Sequence, residues 1–299
     1  MQDFILNTWY MVAWVEELTS ELLARRFLGR PVLLTRSADG TPRALLDRCP
    51  HRFAPLSMGR SEGDTVVCGY HGLAFNHDGQ CVRNPYSDRI PGGATVTTFP
   101  LVERDGIVWC WFGDADRADP DLIPDYAATS AGEHGTLING HTILRANYEY
   151  GTDNLLDLSH IEFLHSGTFG GNGAIFTGTH SLEVTGDQIQ SNWWMPNVAC
   201  PKGMEAILKA DVVDRWLDMR WDAPGNMYLQ VGATPLGQPR EAGSKFDQVH
   251  ILTPSDVGET HYFWSSNSRY AQPPEQAAHF RAMLKEAFDV EDKPMIEAA

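Results

Sequence analysis

The sequence predicts an α+β protein of two parts, an all-β domain over residues 1–115 and, over residues 116–299, a domain in which helices lie on an antiparallel β-sheet. Short apolar runs separated by Gly-containing turns predict the first part. Strands of period 2 together with longer helical stretches predict the second. The Asp-, Ala- and Pro-rich stretch after Gly113 marks the boundary.

The N-terminal part contains five short apolar stretches that we expect to form strands. They are residues 10–14, 31–35, 44–46, 65–67 and 106–112. Turn sequences such as Asp78-Gly79 and Gly92-Gly93 punctuate the chain between them. This pattern is typical of a small all-β domain.

The C-terminal part mixes helical and strand patterns. A helix is expected near residues 147–164 and a second one after Pro273-Pro274, where apolar residues follow the spacing of one buried helical face. Strands are expected around residues 190–196, 226–232, 247–253 and 260–266. The combination favours helices packed on an antiparallel sheet.

The composition excludes several classes of protein. Asp and Glu (39) exceed Lys and Arg (23) by 16, so we expect no nucleic acid partner. The longest apolar runs are only a few residues, so no membrane span is expected. The N-terminus lacks the features of a signal peptide, which predicts a cytoplasmic protein. Five cysteines, an odd number, are better explained as ligands or buried thiols than as disulfides.

Two Cys/His pairs lie in the β-rich part. Cys49 and His51 form the first pair, and Cys68 and His71 form the second. Two thiolates and two imidazoles suit either a tetrahedral zinc ion or a 2Fe-2S cluster in which histidines replace two thiolates on one iron. Zinc ribbons usually carry Cys-x2-Cys pairs, so the spacing favours the cluster without excluding zinc. The remaining cysteines have no such partners and are expected to be structural: Cys81, Cys110 and Cys200.

A second group of possible metal ligands lies in the predicted helix near 147–164. Asp157 and His160 are three residues apart, so the Asp157 carboxylate is expected to accept the second N–H of a ligating His160. His165 lies about 140° from His160 around an ideal helix, so the helix must end or distort between them if both bind one ion. The alternative is that both are ordinary buried or surface histidines.

A carboxylate ligand is expected from the C-terminal helix. The candidates are Asp289, Glu291 and Asp292. Helical periodicity favours Glu291, which lies nearest the middle of the apolar stripe. A solvated acidic helix end is the alternative.

These motifs resemble those of the Rieske non-heme iron oxygenases. The likeness extends over the Gly69–Gly72 run, the Asn154–His160 segment and Glu291-Asp292-Lys293, and it is greatest to the branch of vanillate and dicamba O-demethylases and toluenesulfonate methyl-monooxygenase. It implies that residues 1–115 are a Rieske 2Fe-2S domain and that residues 116–299 hold a mononuclear Fe(II). The implied cluster ligands are Cys49 and Cys68 on one iron and His51 and His71 on the other. The implied ligands of the mononuclear iron are His160, His165 and Asp292.

The resemblance also implies an assembly and partners. Such chains form homotrimers, and electrons pass from the cluster of one subunit to the iron of its neighbour. Asp157 matches the residue that bridges His71 to His160 across the interface, and Asn154 matches a position near the iron. No dinucleotide-binding glycine motif follows a strand, so a separate reductase, with or without a ferredoxin, is expected to supply electrons from NAD(P)H.

The implied activity is O2-dependent monooxygenation of a small aromatic, anionic substrate in catabolism, by O-demethylation or methyl hydroxylation. His250 matches a histidine that contacts the substrate carboxylate in the dicamba enzyme, whereas Leu229 departs from the assisting asparagine, so dicamba itself is not expected. A structural His250, hydroxylation of a polycyclic or steroid-like ring, and a zinc-stabilised binding module without redox activity are the alternatives. Relatives continue well beyond the carboxylate helix, so the chain is expected to be truncated at Ala299.

Overall fold

A computed structural model describes residues 4–129, 135–170, 172–201, 204–268 and 271–299. The chain forms two compact units, Met1–Ile123 with Thr253–Val257, and Pro124–Leu252 with Gly258–Ala299. The first consists of short strands with 3-10 turns, and the second combines one large sheet with helices. The predicted α+β class is confirmed.

The first unit holds eleven strands among its described residues. They are β1 (Thr8–Trp14), β2 (Leu23–Phe27), β3 (Arg30–Arg36), β4 (Pro42–Leu46), β5 (Arg60–Glu62), β6 (Thr65–Val67), β7 (Ala74–Asn76), β8 (Cys81–Arg83), β9 (Thr98–Phe99), β10 (Leu101–Arg104) and β11 (Ile107–Phe112). They form three sheets in the orders β1-β11-β10, β2-β3-β4-β9 and β5-β6-β7-β8. Every residue of β11 is buried, which explains its uninterrupted apolar sequence.

The second unit is built on a seven-stranded antiparallel sheet in the order β12-β18-β17-β16-β15-β14-β13. Its strands are β12 (Thr136–Leu144), β13 (Thr179–Thr185), β14 (Gln188–Ala199), β15 (Val212–Asp222), β16 (Asn226–Pro235), β17 (Ser244–Asp256) and β18 (Glu259–Ser268). Its helices are α1 (Tyr148–Leu156), α2 (Ile161–Leu164), α3 (Glu205–Leu208), α4 (Pro274–Lys285) and α5 (Lys293–Ala298). Side chains from these helices and from one face of the sheet form a common apolar core.

The helix predicted near 147–164 is interrupted. Helix α1 ends at Leu156, and Asp157 has non-helical dihedral angles (φ −101°, ψ 81°). A 3-10 turn, Leu158–His160, leads into α2, which ends at Leu164 with His165 as its C-cap. The Asp157 carboxylate accepts the amide of Ser159, and this N-cap bond starts the 3-10 turn. The helix therefore ends just before His165, as the spacing of the two histidines requires.

A π-helical segment, Glu286–Asp292, separates α4 from α5. Its i→i+5 hydrogen bonds place one extra residue in the turn, so side chains beyond it are displaced from the faces that α-helical periodicity predicts. Asp292 is only 2% exposed as a result, whereas Glu291 is partly exposed. Among the described residues, no helix has the length and apolar character needed to cross a membrane.

Candidate metal centres

Two loops of the first unit carry the Cys/His pairs, and the same two main-chain hydrogen bonds close each loop. The amide of Cys49 donates to the carbonyl of Ala54, and the amide of Phe53 donates back to the carbonyl of Cys49. The loop at Cys68 repeats both bonds with the same spacing. The residues four positions after the cysteines, Phe53 and Gly72, have positive φ angles of 61° and 73°. The two loops therefore present their cysteines in the same local conformation.

Across the two loops, the two cysteines contact each other and the two histidines contact each other. Cys49 and Cys68 are each 2% exposed and are free thiols, and they interact with each other. Burial raises the pKa of Cys49, and the neighbouring Cys68 thiol raises it further. The rings of His51 and His71 lie edge to face with centroids 4.6 Å apart. Two buried thiols and two facing imidazoles are a donor set that fits a 2Fe-2S cluster with one all-cysteine iron and one all-histidine iron.

Close backbone packing holds the two loops together. A Cβ atom on Gly59 would lie 1.9 Å from the carbonyl oxygen of Val67, and one on Gly69 would lie 2.5 Å from that of Met58. Only glycine permits these approaches. Behind the first loop, the carboxylate of Asp47, which is 7% exposed, accepts the Ser57 amide at 2.7 Å. Sequence reasoning did not identify these supports, since they depend on contacts between separate segments.

The second unit brings His160, His165 and Asp292 together. Oδ1 of Asp292 lies 3.6 Å from Nε2 of His160 and 3.2 Å from Nε2 of His165. The three potential ligand atoms all lie within 4.8 Å of one another. Oδ1 is buried and has no hydrogen-bond partner within the described part of the chain.

The outer ring nitrogens of the two histidines face acceptors. Nδ1 of His160 lies 2.6 Å from the carbonyl oxygen of Asp157, and Nδ1 of His165 lies 2.7 Å from Oε2 of Glu291. A neutral imidazole that donates through Nδ1 carries its lone pair on Nε2. Two imidazole lone pairs and a buried carboxylate oxygen then face one another, an arrangement that a bound cation stabilises. The set of two histidines and one carboxylate fits a mononuclear iron with open positions.

The expected contact between Asp157 and His160 is wrong in detail. The main-chain carbonyl of Asp157, and not its carboxylate, faces the imidazole. The carboxylate instead accepts the hydroxyl of Ser159 at 2.6 Å, because Asp157 caps the 3-10 turn that carries His160. Hydrogen bonding by Ser159 lowers the pKa of Asp157, whose side chain is exposed. The residue is thus an exposed, ionised carboxylate with a main-chain link to a candidate ligand.

Helical periodicity favoured Glu291 as the carboxylate ligand, whereas the π-helical segment places Asp292 beside the two histidines. Asp292 faces Nε2 of both histidines, whereas Glu291 contacts only Nδ1 of His165. Burial acts to lower the pKa of His165, but the two carboxylates outweigh it and the net shift is upward. The third candidate, Asp289, accepts the hydroxyl of Thr142. Of the three carboxylates, only Asp292 lies beside Nε2 of both histidines.

Glu162 lies on α2 between the two candidate histidines, and sequence reasoning missed it. It is 8% exposed, and its carboxylate accepts the amides of Gly173 at 2.8 Å and Ile175 at 3.1 Å. The same segment packs closely on α2, since a Cβ on Gly170 would lie 2.1 Å from the Ile161 carbonyl oxygen. These contacts fix the helix that carries the histidines. No sequence pattern marks Glu162, because its partners are main-chain amides.

Asn154 lies on α1, in the turn before the His160 motif. Its Oδ1 is buried and has no hydrogen-bond partner among the residues that the structure describes. The atom is therefore a free acceptor on the helix that leads into the motif.

His250 is 1% exposed on β17, where its ring packs against those of Tyr262 and Phe288. Its Nδ1 lies 2.7 Å from the Tyr262 hydroxyl, and its Nε2 lies 3.3 Å from Oε1 of Gln248. Burial lowers the pKa of His250 to about 3. The imidazole is therefore neutral near pH 7, so it can offer a substrate a hydrogen bond but no positive charge.

Two family models match the two parts of the chain. Residues 8–100 match the Rieske [2Fe-2S] domain, and residues 144–299 match the vanillate O-demethylase oxygenase C-terminal domain. The chain is 36% identical to the oxygenase component of chloroacetanilide N-alkylformylase from Rhizorhabdus wittichii (strain DC-6 / KACC 16600), over 99% of this chain and 86% of that protein. The chain belongs to the Rieske non-heme iron oxygenases.

Two further relatives support this Rieske oxygenase assignment. The toluene-4-sulfonate monooxygenase iron-sulfur subunit TsaM1 of Comamonas testosteroni is 35% identical over 99% of this chain and 88% of its own length. The crystal structure of dicamba monooxygenase bound to 3,6-dichlorosalicylic acid superimposes with a TM-score of 0.93 at 36% identity, over 99% of this chain and 87% of the other.

The family membership fixes the class of enzyme and its cofactors. This Rieske oxygenase is the oxygenase component of a monooxygenase system, and it uses a Rieske 2Fe-2S cluster and a mononuclear iron. The alternative of a zinc-stabilised binding module without redox activity is therefore wrong.

Proposed function

We propose that this oxygenase monooxygenates a small aromatic substrate that carries an anionic group, by O-demethylation or methyl hydroxylation. The observation that carries the proposal is the buried Asp292 oxygen close to two imidazoles. The same chain brings two buried thiols into contact with each other and places two other imidazoles edge to face. In the proposal, residues 1–115 form the Rieske domain and residues 116–299 the catalytic domain.

Each site residue then has a defined task. Cys49 and Cys68 hold one iron of the cluster, and His51 and His71 hold the other. A second set, His160, His165 and Asp292, would hold the mononuclear iron, and sets of two histidines and one carboxylate are typical of iron sites that react with O2. When bound, this iron activates O2 for insertion of one oxygen atom into the substrate. The protein orients these ligands and binds the substrate, and the free Oδ1 of Asn154 is a hydrogen-bond acceptor in the proposed site.

Electron supply is the second part of the proposal. We assign a homotrimer in which Asp157 links His71 of a neighbouring copy to His160. The exposed carboxylate of Asp157 is accessible to a neighbour, and its carbonyl oxygen lies 2.6 Å from Nδ1 of His160. A separate reductase, with or without a ferredoxin, delivers two electrons from NAD(P)H. One oxygen atom of O2 enters the substrate and the other leaves as water. A hydroxylated methyl ether then releases formaldehyde.

The relatives and the core of the second unit support an anionic aromatic substrate. One relative is named for toluene-4-sulfonate and the matching domain for vanillate, and both are aromatic anions. His250 is neutral, so it would bind an anionic group as a hydrogen-bond partner only. Its ring nitrogens contact Tyr262 and Gln248, and one of these contacts must be exchanged if His250 binds substrate.

Matched substrates test the proposed reaction. Protein with both iron centres loaded is incubated with reductase, NADH and pairs of methoxybenzoates and their neutral methyl esters, and formaldehyde is measured. We expect formaldehyde from the acids and at least about tenfold less from the esters, because the esters lack the anionic group. A tenfold difference corresponds to about 1.4 kcal/mol of lost interaction. Equal rates would contradict the anionic substrate. Turnover only of polycyclic or steroid-like compounds would replace the proposed reaction with ring hydroxylation.

Replacing His51 with cysteine tests the cluster assignment. We expect the cluster to form but its reduction potential to fall from the Rieske range of roughly −150 to +300 mV toward about −400 mV, because thiolate adds negative charge. The His51 side chain is exposed, so the substitution does not disturb the core. Potentiometric titration followed by absorbance measures the change. An unchanged potential would remove His51 from the ligand set.

A further inference from the structure

The two candidate histidines of the iron site have different outer partners. Nδ1 of His165 lies 2.7 Å from a carboxylate oxygen of Glu291, whereas Nδ1 of His160 faces the main-chain carbonyl of Asp157. The opposite edge of the His165 ring lies 3.2 Å from Asp292. His165 is therefore placed between two consecutive carboxylates, one at each ring nitrogen.

The Glu291 carboxylate is itself fixed in place. The hydroxyl of Thr168 donates to the same oxygen, Oε2, at 2.8 Å, and the side chain of Glu291 is 18% exposed. Thr168 belongs to the turn after His165, where its amide donates to the His165 carbonyl at 3.0 Å. The turn and the π-helical segment thus hold the imidazole from two directions. The side chain of His165 is 4% exposed, so water competes little for these bonds.

We propose that Glu291 is a positioning residue for the mononuclear iron. This inference rests on the proposed function. As a carboxylate, Glu291 can only accept, so it holds His165 in the tautomer with a proton on Nδ1 and a lone pair on Nε2, the atom beside Asp292. The negative acceptor also strengthens His165 as a donor to a metal. His160, backed by a neutral carbonyl, lacks this charge.

The π-helical segment makes the arrangement possible. It places Asp292 in the interior of the site while the preceding residue, Glu291, reaches the outer edge of the His165 ring. Consecutive side chains on a helix point in different directions, so one short segment contacts both edges of a single ring. Glu291 and Asp292 were alternative candidates for one ligand position. In the structure, Glu291 contacts Nδ1 of His165 and Asp292 lies beside its Nε2.

Fe(II) affinity tests the inference without relying on turnover. The dissociation constant for Fe(II) is measured by competition with a chelator in cluster-loaded protein, for Glu291→Gln, Glu291→Ala and Thr168→Val. Loss of a partner of a ligating histidine typically weakens metal binding about 10- to 100-fold. We expect that range for Glu291→Ala, a smaller loss for Glu291→Gln, whose amide oxygen can still accept Nδ1–H, and the smallest for Thr168→Val.

Glu286→Gln is the matched control, because Glu286 lies exposed in the same π-helical segment. This variant should leave the Fe(II) affinity unchanged. The absorbance of the cluster should be unchanged in every variant. The absorption spectrum of Co(II) bound in place of Fe(II) should shift in the Glu291 variants alone, which a purely structural role would not produce. If Glu291→Ala does not fold, Glu291→Gln decides: weakened Fe(II) affinity with a shifted Co(II) spectrum supports the inference, and an affinity within twofold of the unaltered protein overturns it.

Two outcomes separate this inference from the proposed function. Fe(II) binding that is lost in Asp292→Asn but stays within twofold of the unaltered protein in Glu291→Ala overturns the positioning role alone. Fe(II) binding that is unchanged in Asp292→Asn overturns the proposed iron site, and the inference with it.

Discussion

Replacing Asp292 with asparagine is expected to remove the mononuclear iron and to lower product formation by at least about 100-fold, which corresponds to about 2.7 kcal/mol in the barrier. The buried Oδ1 of Asp292 is the one carboxylate oxygen within reach of Nε2 of both His160 and His165 among the described residues. An amide has no charge with which to hold a cation there. Iron analysis and single-turnover assays measure the two losses.

Asp292→Asn should lower iron content and turnover but should not lower the stability of the metal-free protein. Above the pKa of His165, which Asp292 raises, the buried Asp292 oxygen has no donor and costs roughly 1–3 kcal/mol, so at such pH Asp292→Asn should leave the metal-free stability unchanged or increase it. Asp289→Asn, three residues earlier, is the control and should retain iron, because its contact with Thr142 lies outside the site. Full iron content in Asp292→Asn would exclude Asp292 as a ligand.

Replacing Asp157 with asparagine should leave both metal centres in place and still lower product formation by at least about 100-fold. Asparagine is as good an N-cap as aspartate, so the 3-10 turn that carries His160 should be preserved. The carboxylate is exposed, and only its proposed link to His71 of a neighbouring copy is lost. Cluster absorbance, iron content and product yield are measured on one preparation.

Asp153→Asn is the matched control for that experiment. Asp153 is exposed on α1, one turn before Asp157, and it accepts the Asp157 amide through its main chain, which the substitution does not alter. It should keep full turnover. Normal turnover in Asp157→Asn would refute the bridging role, whereas iron loss in that variant would point to a role in the metal site itself.

Strands were predicted most accurately where buried residues form a continuous apolar run in the sequence. The uninterrupted apolar run of β11 was placed within one residue, and β6 was placed at its observed ends. In contrast, β8 and β9 were missed, because each buries only one residue and so leaves no apolar run. Strand β13 is exposed along its whole length and was also missed, because its two large apolar residues, Leu182 and Val184, are too few to indicate a buried face.

Residue type and spacing singled out the two Cys/His pairs and the two histidines of the second unit as candidates, with zinc and ordinary histidines as alternatives, whereas Asp292 was implied only by the family resemblance. The outer contacts of these residues could not be predicted. Periodicity favoured Glu291 because it assumes 3.6 residues per turn, whereas these residues lie in a π-helical segment with a different repeat, which brings Asp292 to the histidines. The Asp157 carbonyl contact has a similar origin, because the helix predicted there is broken at that residue.

The first unit is completed by residues from far along the chain. Amides of Leu28 and Gly29 donate to the carbonyls of Pro254 and Ser255, and the hydroxyl of Thr253 donates to the carbonyl of Met11. During translation these partners leave the ribosome only after some two hundred further residues have been made, at about 5–20 residues per second. The nascent N-terminal half must therefore wait roughly ten to forty seconds before its last hydrogen bonds can form.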